Sequence, residues 1–146
     1  MRPSGGHVRG ALIIAVPLLL APAIAAGAAA AFGGGPEDPV HVRIEIHYSR
    51  FEPASFSVPV GRPVVIELRN DDPIDHEWIV GDEATHARHA NGTEPHHGER
   101  PTEVSIAALS TVMTTVTFTA PGTLRYVCHL PGHEAYGMVG VVTVTP

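Results

Sequence analysis

The chain has 146 residues, of which 44% are hydrophobic, 16% charged and 5% aromatic, and its formal charge is −6. One domain is the expectation at this length, and 15 glycines and 14 prolines without a period exclude collagen and long helical repeats and disfavour a helical bundle. Nine arginines against 15 acids leave no basic patch for nucleic acid, and a single cysteine excludes an intrachain disulfide, a Cys-pair zinc finger or a two-cysteine cluster.

The N-terminus reads as an export segment. Arg2 and Arg9 precede a continuously apolar run over residues 11–26, followed by small residues that offer two A-x-A-like cleavage sites, at Ala23–Ala25 and Ala28–Ala30. The run to Phe32 is also long enough to span a bilayer, although Pro17 and Pro22 weaken such a helix. Residues 1–32 are therefore expected to be an apolar helix serving as a cleaved signal or an uncleaved membrane anchor. Either places the rest outside the cytoplasm. No cysteine sits near the segment's end to carry a lipid. Residues 33–39, with Gly33-Gly34-Gly35-Pro36, read as a linker.

Residues 40–146 read as an all-β domain. Val40, Val42, Ile44, Ile46 and Tyr48 alternate with His41, Arg43, Glu45 and His47, which predicts a half-buried strand over 40–48. Further strands are expected at 55–58, 63–69, 77–80, 102–107, 114–119, 123–128 and 138–144, set off by Pro, Gly and Asp turns. About eight short strands point to a Greek-key sandwich or barrel. Residues 82–100 form the one long irregular stretch, with a helix allowed over 82–90.

Residues 126–138 carry the chemistry: Cys128, His133 and Met138 are spaced five apart. A strand ending in Cys that loops back and re-enters the sheet at Met can aim thiol, imidazole and thioether at one point. Pro131 and Gly132 fix the turn before His133, and His76, opening a strand after the acidic turn 70–75, qualifies as a second imidazole. Thiolate, two imidazoles and a weak thioether suit copper cycling between two oxidation states. Zinc prefers four strong ligands in a closed tetrahedron, and Met is a poor one. His129 adjoins Cys128 but should point to the opposite face.

At these residues the sequence resembles the cupredoxins, the type 1 blue-copper proteins. Phe51, Pro53, Phe56, Val58, Gly61, Val64, Asn70 and Asp72 match the family's run-up to its first ligand histidine, and Cys-x4-His-x4-Met resembles the longer ligand loop of rusticyanin-type and plant-type members. The resemblance spans about residues 40–144. By position it implies one type 1 copper per chain held by His76, Cys128, His133 and axial Met138, and a one-electron carrier with a transient redox partner. A monomer is expected. One departure stands out: many members have Asn after the first histidine, tying the two ligand loops together, and here that residue is Glu77. The change bears on hydrogen bonding around the ligands and on the reduction potential.

The segment after His76 is rich in histidine. A helix would set Asp82, His86 and His89 on one face, with His96 and His97 close behind. It reads either as a solvated loop with a polar helix, near the copper site, or as a second metal or copper-acquisition site. Asn91-Gly92-Thr93 fits a glycosylation sequon but is read as a turn. An acidic flank of Asp75, Glu77, Asp82 and Glu83 would steer a basic partner. The alternative to electron carriage is an extracytoplasmic copper module for storage, delivery or tolerance, using the same site and this segment. Multicopper oxidases share the spacing of Cys128, His129, His133 and Met138, but they need a histidine before the Cys and several His-x-His pairs. Here residue 127 is Val and no His-x-His occurs. No catalytic residues are therefore expected. A metal-free adhesive sandwich would leave the four-residue pattern unexplained.

Overall fold

The computed structural model describes residues 38–92, 97 and 100–146. The expected signal or anchor, most of the linker and His96 lie outside them. Among the described residues no helix is long and apolar enough to cross a membrane.

Those residues form nine strands and one helix: β1 Val40–Ile46, β2 Phe51–Glu52, β3 Ser55–Pro59, β4 Pro63–Asn70, β5 His76–Gly81, α1 Glu83–Ala90, β6 Glu103–Ile106, β7 Thr111–Thr117, β8 Gly122–Val127 and β9 Val139–Thr145. Two sheets result, ordered β2-β1-β4-β7 and β3-β9-β8-β5-β6. The chain crosses from sheet to sheet at β2–β3, β3–β4, β4–β5, β6–β7 and β7–β8. Two pairings are parallel, β1 with β4 and β3 with β9; the rest are antiparallel. The expected all-β sandwich is what forms.

Alternation builds the core. In β4, Val64, Ile66 and Leu68 point inward while Glu67 and Arg69 stay at the outer face. They meet Ile44 and Ile46 of β1, and across the sandwich Trp78, Val80, Tyr126, Val142 and Val144. β5 departs from alternation, since its first five residues are all buried. Trp78 and Val80 belong to the core, and Glu77 and Ile79 occupy the other face. α1 packs on that strand. Asp82 caps it, accepting the Thr85 N–H at 2.9 Å. The helix stops where Gly92, at φ +70°, donates its N–H to His89 O.

The first strand is shorter than its alternation predicts. Tyr48 was expected on the buried face, but it is 80% exposed and has φ 52°. His47 and Arg50 exchange backbone hydrogen bonds in a tight reversal, and the Asp72 carboxylate accepts the N–H groups of Tyr48 and Ser49 at 2.8 and 2.7 Å. That capture holds both residues in the left-handed region and ends β1 at Ile46. The two-residue β2 that follows is too short to carry a pattern.

Tyr126 and Gly140 face each other across β8 and β9, and a Cβ on Gly140 would lie 2.1 Å from the Tyr126 ring. The ring's hydroxyl donates to Pro53 O at 2.8 Å, and its edge meets Phe51. It has little freedom to retreat. Gly140→Ala should therefore cost about 1–3 kcal/mol through overpacking, read as a lower urea midpoint at unchanged slope. A wild-type midpoint would mean that the ring moves freely.

Candidate metal centre

The site sits where β5 begins and β8 ends. His76 is the first residue of β5, and Cys128 follows directly on β8. The chain then makes a closed loop back to β9. Its backbone bonds run His133 N to Leu130 O, Tyr136 N to Gly132 O, Gly137 N to Glu134 O, Met138 N to His133 O and Cys128 N to Met138 O. Gly132 and Gly137 supply the positive φ values, +86° and +91°, that the loop needs. This folding gathers residues that are five apart in sequence. Cys128 Sγ lies 3.3 Å from His133 Nδ1, and His133 Nδ1 lies 3.2 Å from His76 Nδ1. One ligand atom from each residue falls within 4.8 Å of the others. Met138 is fully buried beside them in sequence and backbone pairing, with its N–H bonded to His133 O and its carbonyl to the Cys128 N–H.

The polar surroundings orient these groups. His76 Nε2 lies 3.0 Å from Asp72 Oδ2. A carboxylate only accepts, so Nε2 carries the proton and Nδ1 turns its lone pair toward Cys128 and His133. Burial alone would raise the Asp72 carboxyl, but the N–H groups of Ser49 and Tyr48, then His76, outweigh it and hold the group below its usual 3.8. Burial pushes the Cys128 thiol up to about 11, against the pull of the Glu77 and Leu130 N–H groups. Burial, then His76, lowers His133. Two basic nitrogens and a sulfur, packed this closely, make a donor set suited to a soft cation. The residues fit copper.

Glu77 replaces the family's usual asparagine and still joins the two ligand loops. Its backbone N–H points at Cys128 Sγ at 3.4 Å, and its Oε1 accepts the His129 N–H at 2.8 Å. It is buried, so it leaves the expected acidic flank; Asp75, Asp82 and Glu83 remain exposed. Its Oε2 meets His97 Nε2 at 2.9 Å. His86 and His89 face inward from α1 and are buried too, so the reading of a solvated polar helix is corrected. The reason is that the outer face of β5 offers Glu77 and Ile79 to cover. His129 turns to His86, with ring nitrogens 3.0 Å apart, and lies 3.5 Å from Glu134. Sequence spacing hinted at His86 and His89, but nothing there linked them to Glu77 or Glu103.

Residues 39–145 match the family model for copper-binding proteins of the plastocyanin/azurin family. The chain belongs to that family. Among curated relatives, the copper-resistant cuproprotein CopI of Rubrivivax gelatinosus is 33% identical over 98 residues, covering 65% of this chain and 59% of CopI. Auracyanin-B of Chloroflexus aurantiacus is 30% identical over 126 residues, covering 76% of this chain and 54% of that protein. The chain thus spans between half and two thirds of these two relatives. Among solved structures, auracyanin A of Chloroflexus aurantiacus, titled a "blue" copper protein, aligns with TM-score 0.61 and 27% identity over 74% of this chain and all of that one. The cupredoxin assignment read from the sequence stands. Copper is the cofactor, and His76, Cys128 and His133 form its candidate site.

Asp72 joins three loops at this site, and its charge supports them. A carboxyl held below its unfolded value adds stability that is complete above pH 3.8 and is lost as pH falls through the lower folded value. Metal-free Asp72→Asn should be about 1.5–3 kcal/mol less stable at pH 7. The deficit should close on acidification below 3.8. Denaturant titrations across that range would reject the charge argument if the deficit stayed constant.

Proposed function

We propose that this protein is an exported type 1 copper protein that carries single electrons, in which His76, Cys128 and His133 would hold the metal and Met138 would be a fourth, weaker ligand. The reading rests above all on the convergence of the Cys128 thiol with two imidazole nitrogens, 3.2–3.3 Å apart along the chain of contacts, at the end of a stiff sandwich. Copper held by these residues would supply one-electron chemistry through its cuprous and cupric states. The strand ends and the loop backbone keep the ligand positions fixed in both states, which lowers the reorganisation that opposes transfer. The Glu77 N–H aimed at the sulfur tempers its negative charge and so helps set the potential.

His133 is the half-exposed member of the set, while His76 and Cys128 are buried, so electrons would pass at its edge. The surrounding surface suits brief contact. Of the exposed large hydrophobics, Tyr136 lies in the ligand loop, and Tyr48, Ile74 and Leu109 lie in segments bonded to Asp72 or Asn70. These apolar groups favour a small, quickly dissociating interface. Exposed Asp75, Asp82 and Glu83 would steer a basic partner. Residues 40–146 are the copper domain in this reading. Residues 1–32 export or tether it through the 33–39 linker, outside the cytoplasm. No substrate chemistry is assigned to it.

A second reading, copper storage, delivery or tolerance, draws on the similarity to a protein named for copper resistance. It predicts ready transfer of copper to an acceptor, whereas electron carriage predicts retention of copper through many redox cycles.

Addition of Cu(II) should produce an intense visible thiolate-to-copper charge-transfer band that is absent from Cys128→Ser. Met138→Leu should keep the band and raise the reduction potential, because a soft electron-donating ligand is lost. No band in the wild type would overturn the assignment, and an unchanged potential in Met138→Leu would remove Met138 from the ligand set.

A further inference from the structure

Behind the ligand loops lies a second group of metal-binding side chains that electron carriage does not use. Glu77, His89 and His97 each offer one ligand atom, and these atoms lie within 4.8 Å of one another. Their exposures are 7%, 5% and 6%. Three different segments supply them: the outer face of β5, the last turn of α1, and the chain beyond the helix. The rings of His89 and His97 meet edge to face, with centroids 4.9 Å apart.

Among the described residues, two ring nitrogens in this cluster, His89 Nε2 and His97 Nδ1, are buried without a hydrogen bond of proper geometry. Unsatisfied buried polar atoms are expensive, and a nitrogen lone pair can be satisfied by a metal as well as by a proton. Glu77 adds a buried carboxylate, which requires nearby positive charge. It meets a backbone N–H and the His97 imidazole. Glu103 lies 3.3 Å from His89 Nε2, but it also takes 2.6 Å bonds from Arg88 and Arg100. Those bonds, Arg100 foremost, and His89 lower it against the effect of burial. Glu103 is thus a charge-compensated neighbour, and Glu77 is the carboxylate available to a metal. One turn earlier His86 joins His129, with ring nitrogens 3.0 Å apart.

We propose that Glu77, His89 and His97 form a second metal site for a divalent, imidazole-preferring cation, copper(II) ahead of zinc. Two imidazoles and one carboxylate are a donor set that both ions accept. The hard carboxylate and the absence of sulfur turn the set away from copper(I). The site stands independently of the electron-carrier reading, since none of its three ligands belongs to the first site. It is coupled to that site through Glu77, which follows His76 and directs its N–H at Cys128 Sγ.

The test uses zinc as probe on protein given a single equivalent of copper, which the sulfur-bearing first site takes. After gel filtration, the wild type should retain one equivalent of zinc beside its copper, measured by elemental analysis. The His89→Asn/His97→Asn double variant should bind zinc at least tenfold more weakly while its visible copper band stays at full intensity, which certifies its fold. Zinc should also raise the reduction potential of the wild type, by placing positive charge beside the first site, and leave that of the double variant unchanged. No retained zinc in the wild type at pH 6–8 overturns the proposal and leaves Glu77 and His97 a simple proton-sharing pair. Equal retention in both proteins also overturns it, by moving the zinc to other histidines. Should the visible band itself be absent, zinc retention still decides the second site, while the electron-carrier reading fails separately.

Discussion

A sulfur and two imidazole nitrogens are brought within bonding reach of a common centre before any metal is considered, and water is largely kept from them. That crowding is the constraint on which the rest of the domain depends. Left to itself it is unfavourable: the thiol resists ionisation, with its pKa pushed to about 11, and two nitrogens face one another at 3.2 Å. The sandwich imposes it through backbone geometry. His76 is fixed at the start of a fully paired strand, Cys128 at the end of another, and His133 by a loop whose hydrogen bonds close onto Met138. Part of the free energy of the core is thus spent on holding ligands in an arrangement that favours a soft cation.

Two carboxylates make that arrangement specific. Asp72 collects the reversal at Tyr48–Ser49, the His76 ring and, through its carbonyl, the Leu109 N–H. Three loops from both sheets therefore move together with one ligand. Asn70 adds to the tie by donating to Ile74 O and Ala107 O. Glu77 does the corresponding work on the other side, joining β5 to the chain just after Cys128. The exposed apolar residues Tyr48, Ile74 and Leu109 are carried on these same tied segments.

Much of this was legible in the sequence, and what was not has physical reasons. Alternation revealed β1 and β4, because one face of each meets the core and the other meets solvent. The five-residue spacing of Cys128, His133 and Met138 pointed to the closed loop that joins them, because a tight closed loop requires a short fixed separation. Alternation failed at Tyr48, where a carboxylate 24 residues away in the chain captures the backbone and overrides the pattern. It failed again for β5, which is buried on both faces and so has no polar side to display. The burial of His86, His89 and His97 was invisible for a related reason. Their composition is that of a solvated segment, and only the outer face of β5, with Glu77 and Ile79, gives them something to cover.

The exchange of asparagine for Glu77 links these findings. An amide at that position could bridge the ligand loops while remaining neutral. A carboxylate bridges them equally well, through the His129 N–H, but brings a buried negative charge within one residue of His76. Such a charge raises the energy of the metal-free site and favours the cupric over the cuprous state, unless positive charge is supplied nearby. The chain supplies histidines at that point, in a helix whose cap, length and inward face are all set by the segment between β5 and β6. Carboxylate and histidine-bearing segment thus complement each other, the acid offering an acceptor to the His97 imidazole and the imidazole a donor to the acid. Both are tied to the chain at Cys128, the Glu77 N–H pointing at its sulfur and the Glu77 carboxylate accepting the N–H of the next residue, His129.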